Sequence, residues 1–143
     1  MSVSHILSTK GHEVVSIPLD HTLGEAVRML AEQRIGAVLV SDGEHPVSGI
    51  ISERDIVRAI SDHGAASLDQ PVSRFMTAKV VTCTSGSSIN DLMEAMTNGK
   101  FRHVPVVEGG KLTGIISIGD VVKYRLAEIE AETQAIRDYI ATA

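Results

Sequence analysis

The chain contains an internal repeat, which restricts its possible folds more than any other feature. Seven residues, GIISERD at 49–55, return as GIISIGD at 114–120. Gly49 and Gly114 are therefore 114 − 49 = 65 positions apart. The similarity extends outward, because EVVSIPLD aligns with KVVTCTSG and RIGAVLVSDG with KFRHVPVVEG, with one residue near Glu44 looped out. A repeat over most of the chain predicts a fold made of two similar halves.

Each half carries the same order of predicted elements. A short apolar strand is predicted at Val14 to Ile17 and again at VVTC, 80–83. A helix follows, and its apolar residues recur at helical spacing. These residues are Leu23, Ala26, Val27, Leu30 and Ala31 in the first half, and Ile89, Leu92, Met93 and Met96 in the second. Two β-rich runs around a polar turn then precede a second helix that begins after Ser52 or Ser117.

The predicted fold class is therefore α/β (α+β), with two strand–helix–strand–strand–helix units. One unit alone is too short to bury its apolar sheet face. We expect the two units to pack sheet to sheet about a pseudo-two-fold axis. The predicted divisions are 1–63 for the first repeat, 64–71 for a linker, 72–125 for the second repeat and 126–143 for a C-terminal helical extension.

Composition restricts the location and the partners. The formal charge of −5 gives no general attraction to nucleic acid or to an anionic membrane. No apolar run approaches the roughly 18 residues of a membrane span, and the N-terminus lacks the apolar core of a signal peptide. The single cysteine, Cys83, excludes an internal disulfide. We expect a cytoplasmic protein that binds no membrane, and nucleic-acid binding is disfavoured.

The repeated phrase has two interpretations. Ser52 and Ser117 can cap the helices that follow them, with Asp55 and Asp120 at the third helical position. Alternatively, the free N–H groups of the helix N-terminus attract a phosphate, and the carboxylate accepts two hydrogen bonds from a ribose diol. Spacing alone leaves both interpretations open.

Both halves resemble the cystathionine-β-synthase (CBS) domain, which normally occurs in pairs called Bateman modules. The resemblance runs from about His5 to Lys123 and includes the family's signature of Gly, two apolar residues, Ser or Thr, two variable residues and Asp. RHVPVV, 102–107, also resembles the second-strand consensus, whose proline is replaced by Leu39 in the first half. The chain is thus identified as a stand-alone CBS pair.

The resemblance implies a regulatory module that binds an adenosine-containing ligand between the repeats, with AMP first and ATP, ADP, NAD(H) or S-adenosylmethionine as other candidates. It implies that the two aspartates hold the ribose and that the two serines meet ribose or phosphate. Arg54, Arg102, His103 and Lys10 are candidates for the phosphate. The full set of expected site residues is Lys10, Val14, Ile17, Ala37, Ser52, Arg54, Asp55, Arg102, His103, Pro105, Ser117, Ile118, Gly119 and Asp120.

Other polar residues show no catalytic or metal-binding pattern. The remaining histidines lack the paired spacing of a zinc site, and Cys83 is expected mid-strand as a small core residue. We therefore predict no enzyme activity, no metal and no catalytic cofactor. The alternatives are a structural or protein-interaction module without a ligand and, less favoured, a weak nucleotide hydrolase.

The C-terminal segment has a heptad-like apolar stripe. Its members are Val122, Leu126, Ile129, Thr133, Ile136 and Ile140. The stripe can pack back on its own module or against a helix from a second copy. We favour the second copy, and the resemblance to CBS modules also implies a homodimer, together with an unknown regulated protein.

Overall fold

The computed structural model describes residues 2–142 and contains five helices and five strands within that range. The first half consists of α1 (Val3–Lys10), β1 (Ser16–Pro18), α2 (Leu23–Gln33), β2 (Ala37–Ser41), β3 (Gly49–Ser52) and α3 (Glu53–His63). Two short 3-10 helices follow at Ala65–Asp69 and Val72–Arg74. The second half consists of α4 (Ile89–Gly99), β4 (His103–Glu108), β5 (Lys111–Ser117) and α5 (Ile118–Thr142).

The strands form one small sheet in each half. In the first, β1 runs parallel to β2, and β2 runs antiparallel to β3. In the second, β4 runs antiparallel to β5, with a register shift between Val106 and Val107. The predicted mixed α/β fold class is confirmed.

The predicted strand at 80–83 is wrong. Only Cys83 pairs, through one parallel bridge to Val106 that corresponds to the Ile17–Val40 pair of the first half. The next two amides turn away from the sheet, because Thr84 N–H donates to Ser87 Oγ and Ser85 N–H to the Glu108 carboxylate. Cys83 is buried as expected, but it is not in the middle of a strand.

Three apolar clusters build the interior. One belongs to each half, and the third lies between the sheets, where Ala37, Leu39 and Ile50 meet Leu112 and Ile115. Since strand residues alternate between faces, each sheet turns one face to its own helices and one to the other sheet. The predicted packing of sheet on sheet is therefore observed. In α2, however, Val27 and Ala31 are exposed, although we expected both on the buried face.

The segment that leads into each half packs on the other half. Helix α1, which the sequence did not reveal, places Val3, Ile6 and Leu7 in the core of the second half. Conversely, Val72 is fully buried in the core of the first half, and Phe75 and Met76 pack against it. Each leading segment passes close to a signature glycine. A Cβ on Gly114 would lie 2.7 Å from Leu7 Cδ2, and one on Gly49 would overlap Met76 Sδ and lie 3.0 Å from the Thr77 carbonyl oxygen.

Helix α5 continues well past the second half, and residues 131–142 are all exposed. Among residues 2–142, none of the helices combines the length and the apolar composition needed to cross a bilayer.

Candidate functional site

The two signature phrases, residues 49–55 and 114–120, adopt the same geometry. Ser52 N–H donates to Asp55 Oδ2 at 2.9 Å, and Asp55 N–H donates to Ser52 Oγ at 3.3 Å. Ser117 N–H donates to Asp120 Oδ2 at 2.9 Å, and Asp120 N–H donates to Ser117 Oγ at 3.2 Å. Each phrase thus ends a strand and starts a helix with reciprocal capping bonds. Both serines and both aspartates therefore cap helices, as the first of the two interpretations predicted.

Capping uses only one oxygen of each carboxylate. Asp55 Oδ2 accepts the bonds from Ser52, whereas the one hydrogen bond that Asp55 Oδ1 receives from residues 2–142 is long, at 3.4 Å from the Thr77 hydroxyl. Asp120 Oδ2 likewise takes the capping bond, and no hydrogen bond from residues 2–142 reaches Asp120 Oδ1. Each carboxylate therefore keeps an oxygen that can accept a hydrogen bond from another molecule.

The two aspartates have different neighbours, because the segment that leads into each half packs on the other half. Lys10, at the end of α1, lies 2.6 Å from Asp120 Oδ2 and also donates to the Ile115 carbonyl oxygen at 2.7 Å. Thr77 occupies the corresponding place beside Asp55, where its backbone pairs with Ile50. Burial alone would raise the pKa of Asp120, but the Lys10 ammonium and the Ser117 donors lower it below the usual value. Asp120 is therefore paired with a lysine, whereas no lysine or arginine among residues 2–142 forms an ion pair with Asp55.

His103 lies between the two phrases. A Cβ on Gly36 would be 3.3 Å from the His103 ring and 3.7 Å from a Glu53 carboxylate oxygen, so the ring of the second half faces the start of α3 in the first. Burial lowers the pKa of His103, and the charge of Lys10 adds to this effect, against the opposing charges of Asp120 and Glu53. The imidazole is thus neutral near pH 7 and ready to gain a proton beside an added anion.

A pocket of about 210 Å³ brings three basic residues together next to the start of α5. Arg54, Lys100 and Arg102 line it, with Ile118 beside them. Arg54 comes from the first half and donates to the Lys100 carbonyl oxygen of the second at 3.1 Å. The Arg54 and Arg102 of the sequence prediction therefore meet across the boundary between the repeats. Gly119 is exposed in the first turn of α5 next to them.

The apolar residues of the predicted site separate into two groups. Val14 and Ala37 belong to the cluster between the sheets. Pro105 is buried, on the strand face opposite to Val104 and Val106. Ile17, in contrast, is 1% exposed inside the core of the first half, so its side chain does not line an inter-repeat site as we had expected.

Sequence reasoning missed three residues near the site, namely Thr77, Glu53 and Lys100. In the repeat alignment, Thr77 falls opposite Gly11, next to Lys10, and this register was the available signal. Glu53 is a variable position of the signature phrase. Lys100 lines the pocket, and it follows the end of α4 in a left-handed conformation with φ of 56°.

The part of the chain that the structure describes contains no candidate metal centre. Within residues 2–142, no group of three or more His, Cys, Asp and Glu side chains is placed to hold a metal ion. Burial, reinforced by the charge of Glu108, raises the pKa of the Cys83 thiol to about 11, which makes it a poor nucleophile.

Comparison with known proteins gives a consistent result. A sequence profile described as the CBS domain matches residues 3–62 and 72–127. The mitochondrial CBS domain-containing protein CBSX3 of Arabidopsis thaliana is 33% identical to this chain over 147 residues. The match covers 97% of this chain and 71% of that protein.

Solved structures agree with the sequence match. The crystal structure of a CBS-domain containing protein from Agrobacterium tumefaciens is 52% identical, with a TM-score of 0.85 over 87% of this chain and 99% of that one. A CBS domain protein from Pyrobaculum aerophilum, solved as a complex with AMP, is 29% identical, with a TM-score of 0.77 over 93% of this chain and 99% of that one.

Proposed function

This chain belongs to the CBS domain family, and we propose that it is a regulatory module that binds an adenosine-containing ligand at its two signature phrases. The observation that carries the proposal is the second oxygen of Asp55 and of Asp120, left unused by the helix cap. A ribose diol donates two hydrogen bonds and requires an acceptor of this kind. The complex of the Pyrobaculum relative with AMP supports this ligand class.

The basic pocket supports a phosphorylated ligand over adenosine itself. Arg54, Lys100 and Arg102 supply positive charge within one small pocket, and arginine pairs with phosphate through two parallel bonds. Neutral His103 can take up a proton when an anion approaches. We therefore favour AMP as the ligand, with ATP and NAD(H) as further candidates.

The two sites are not equivalent. At Asp120 a ribose must share the carboxylate with Lys10, whereas at Asp55 it would meet the hydroxyl of Thr77. Ligand binding then favours one arrangement of the repeats by its difference in affinity between the arrangements. We propose that the module acts in the cytoplasm as a homodimer and that another protein recognises this arrangement, so that its role is regulatory rather than catalytic.

Alanine and asparagine variants of the two aspartates test ligand binding against capping. For Asp55→Ala together with Asp120→Ala, loss of the charged hydrogen bonds should weaken AMP binding about 30-fold or more. Asp55→Asn and Asp120→Asn keep an oxygen for the cap but lose the charge, so they should lose affinity with less loss of stability. Isothermal titration calorimetry and thermal unfolding measure the two effects separately.

A matched control lies elsewhere in the same chain. Ser88 caps α4, and Asp91 stands at the same third helical position, outside both phrases. Asp91→Ala should lower stability and leave AMP affinity unchanged. If the signature variants behave like Asp91→Ala, or if AMP, ADP, ATP, NAD, NADH and S-adenosylmethionine all fail to shift the wild-type melting temperature, the structural-module alternative is the better one.

A further inference from the structure

Within residues 2–142, helix α5 has an apolar stripe that no other part of the chain covers. Only its first turns touch the fold, where Val121 is buried and Tyr124 packs against the core of the second half. Five other large apolar side chains of α5 are between 43% and 68% exposed. They are Val122, Leu126, Ile129, Ile136 and Ile140. The stripe therefore does not pack back on its own module, which was one of the two sequence expectations.

The spacing of this stripe defines heptad positions. Steps of four and three residues place Leu126, Thr133 and Ile140 at position a, and Val122, Ile129 and Ile136 at position d. The flanking e positions are Lys123, Glu130 and Arg137, and the flanking g positions are Arg125, Glu132 and Tyr139. These flanking residues face the partner helix in a coiled coil, so their charges report the partner's direction.

In a parallel pair, each g residue faces the e residue five positions later in the other copy. Arg125 then meets Glu130 of the second copy, and Glu132 meets Arg137 of the second copy. Both contacts join opposite charges, and two-fold symmetry doubles them. All four side chains are on the helix surface, and Arg125 also has a pairing with Glu128 in its own helix.

In an antiparallel pair with a opposite d, the same charges oppose each other. The e positions of the two helices then face each other. Lys123 faces Arg137 of the second copy, and Glu130 faces Glu130 of the second copy. The g positions place Glu132 opposite Glu132. Like charges would thus meet on both sides of the seam, which disfavours this direction.

We propose that α5 of a second copy of this chain lies parallel and in register along this stripe. The occupant is a second copy because the charges of α5 complement themselves in one direction and in one register. Thr133 adds to this, since a polar residue at a central a position favours pairing with its own counterpart. Isoleucine at two d positions also permits two such pairs to join as four strands.

Disulfide trapping in the full chain tests direction and register. In a parallel in-register pair, residue 133 lies opposite residue 133, so Thr133→Cys should form a covalent dimer in a glutathione redox buffer. Ala131→Cys, at the outer f position, is the matched control and should stay monomeric on a non-reducing gel. Cys83 needs no replacement, because it is buried and the wild-type chain reports its background.

A charge exchange provides a second test that does not depend on cysteine geometry. Glu130→Lys places a lysine opposite Arg125 and should weaken association about tenfold or more in sedimentation equilibrium. Adding Arg125→Glu restores opposite charges and should recover association. Asp138→Lys, at position f, is the control and should have little effect.

Rescue by the double variant, together with selective trapping at residue 133, supports the proposal. The proposal is overturned if the wild-type chain stays monomeric at about 100 µM, because a dimer with a Kd below about 10⁻⁴ M would be detected at that concentration. Equal trapping at residues 131 and 133 overturns it as well. So does a mixture of Leu126→Cys and Ile136→Cys that traps while Thr133→Cys does not, because that result indicates antiparallel helices.

Discussion

Lys10 and Asp120 form an ion pair at 2.6 Å that joins the first helix of the chain to the start of the last one. The pair crosses between the halves, because Lys10 ends the helix that leads into the first half and Asp120 lies in the second half, at the start of α5. This contact connects the stability of the fold with one of the two proposed ligand sites, and it leads to the first prediction.

Lys10→Met should cost about 1 kcal/mol of stability at pH 7, as expected for a partly buried ion pair. The folded-state pKa of Asp120 is lowered, so the contribution of its charge is present above the unfolded value near 3.9 and is lost as the pH falls through the folded value. The difference between variant and wild type, measured by urea unfolding, should therefore shrink below about pH 4. Lys79→Met, an exposed lysine, is the control. A difference that is the same at pH 3 and pH 7 would assign the whole effect to the Ile115 hydrogen bond.

His103 should make the fold less stable in mild acid. Its pKa is lowered in the folded state, so the unfolded chain binds the proton more readily and stability falls as the pH drops below about 6.5. His103→Gln should flatten the dependence of the melting temperature between pH 7 and pH 5. His12→Gln is a suitable control, and an unchanged slope in His103→Gln would contradict the assignment.

The same histidine predicts how AMP binding varies with pH. A phosphate beside His103 stabilises the imidazolium, so AMP should bind more tightly near pH 6 than near pH 8. Adenosine, which has no phosphate, should show a flat profile by calorimetry. Equal pH profiles for wild type and His103→Gln would remove His103 from the phosphate site.

Gly114 and Leu7 should be energetically coupled. A methyl group on Gly114 would meet the buried side chain of Leu7, so Gly114→Ala should cost about 1–3 kcal/mol. Leu7→Ala alone should cost about 2–5 kcal/mol, and the double variant should cost clearly less than the sum. Gly86→Ala, where the nearest atom is 3.9 Å away, should be additive with Leu7→Ala in the same unfolding measurements. Additivity at Gly114 would show that the cost of Gly114→Ala does not arise from its contact with Leu7.

Cys83 should be nearly inert in the folded protein. With a pKa of about 11, roughly a thousandth of the thiol is ionised at pH 8, compared with roughly a quarter of a free cysteine. Ellman's reagent should therefore react much more slowly with native protein than with protein in urea. Similar rates would indicate that the region near Cys83 opens readily.

The sequence predicted what depends on local patterns and on the repeat itself. Ser52 and Ser117 start helices where expected, since a serine with an aspartate three residues later satisfies helix N-terminal amides in any context. The order of elements from the first helix of each repeat unit onward was predicted in the same way, because apolar periodicity is a local signal.

Long-range contacts were harder to predict. Strand β1 has only three residues, too few for alternation to show whether Val14 or Ile17 faces the other sheet. The pairing of Lys10 with Asp120 depends on α1 crossing to the second half, a choice made by packing rather than by any local signal. Competing side-chain hydrogen bonds at Thr84 and Ser85 likewise ended a strand that apolar residues alone would predict.

The crossing of the leading segments also has a bearing on how such a chain arose. A single unit of this kind would lack the leading segment that completes its own core and could obtain it only from a neighbour, as in a domain-swapped dimer. Fusing two such units into one chain holds each borrowed segment at a high effective concentration next to its acceptor. Cleavage within 64–71 should therefore leave two fragments that remain bound to each other, each still sealed by a piece of the other.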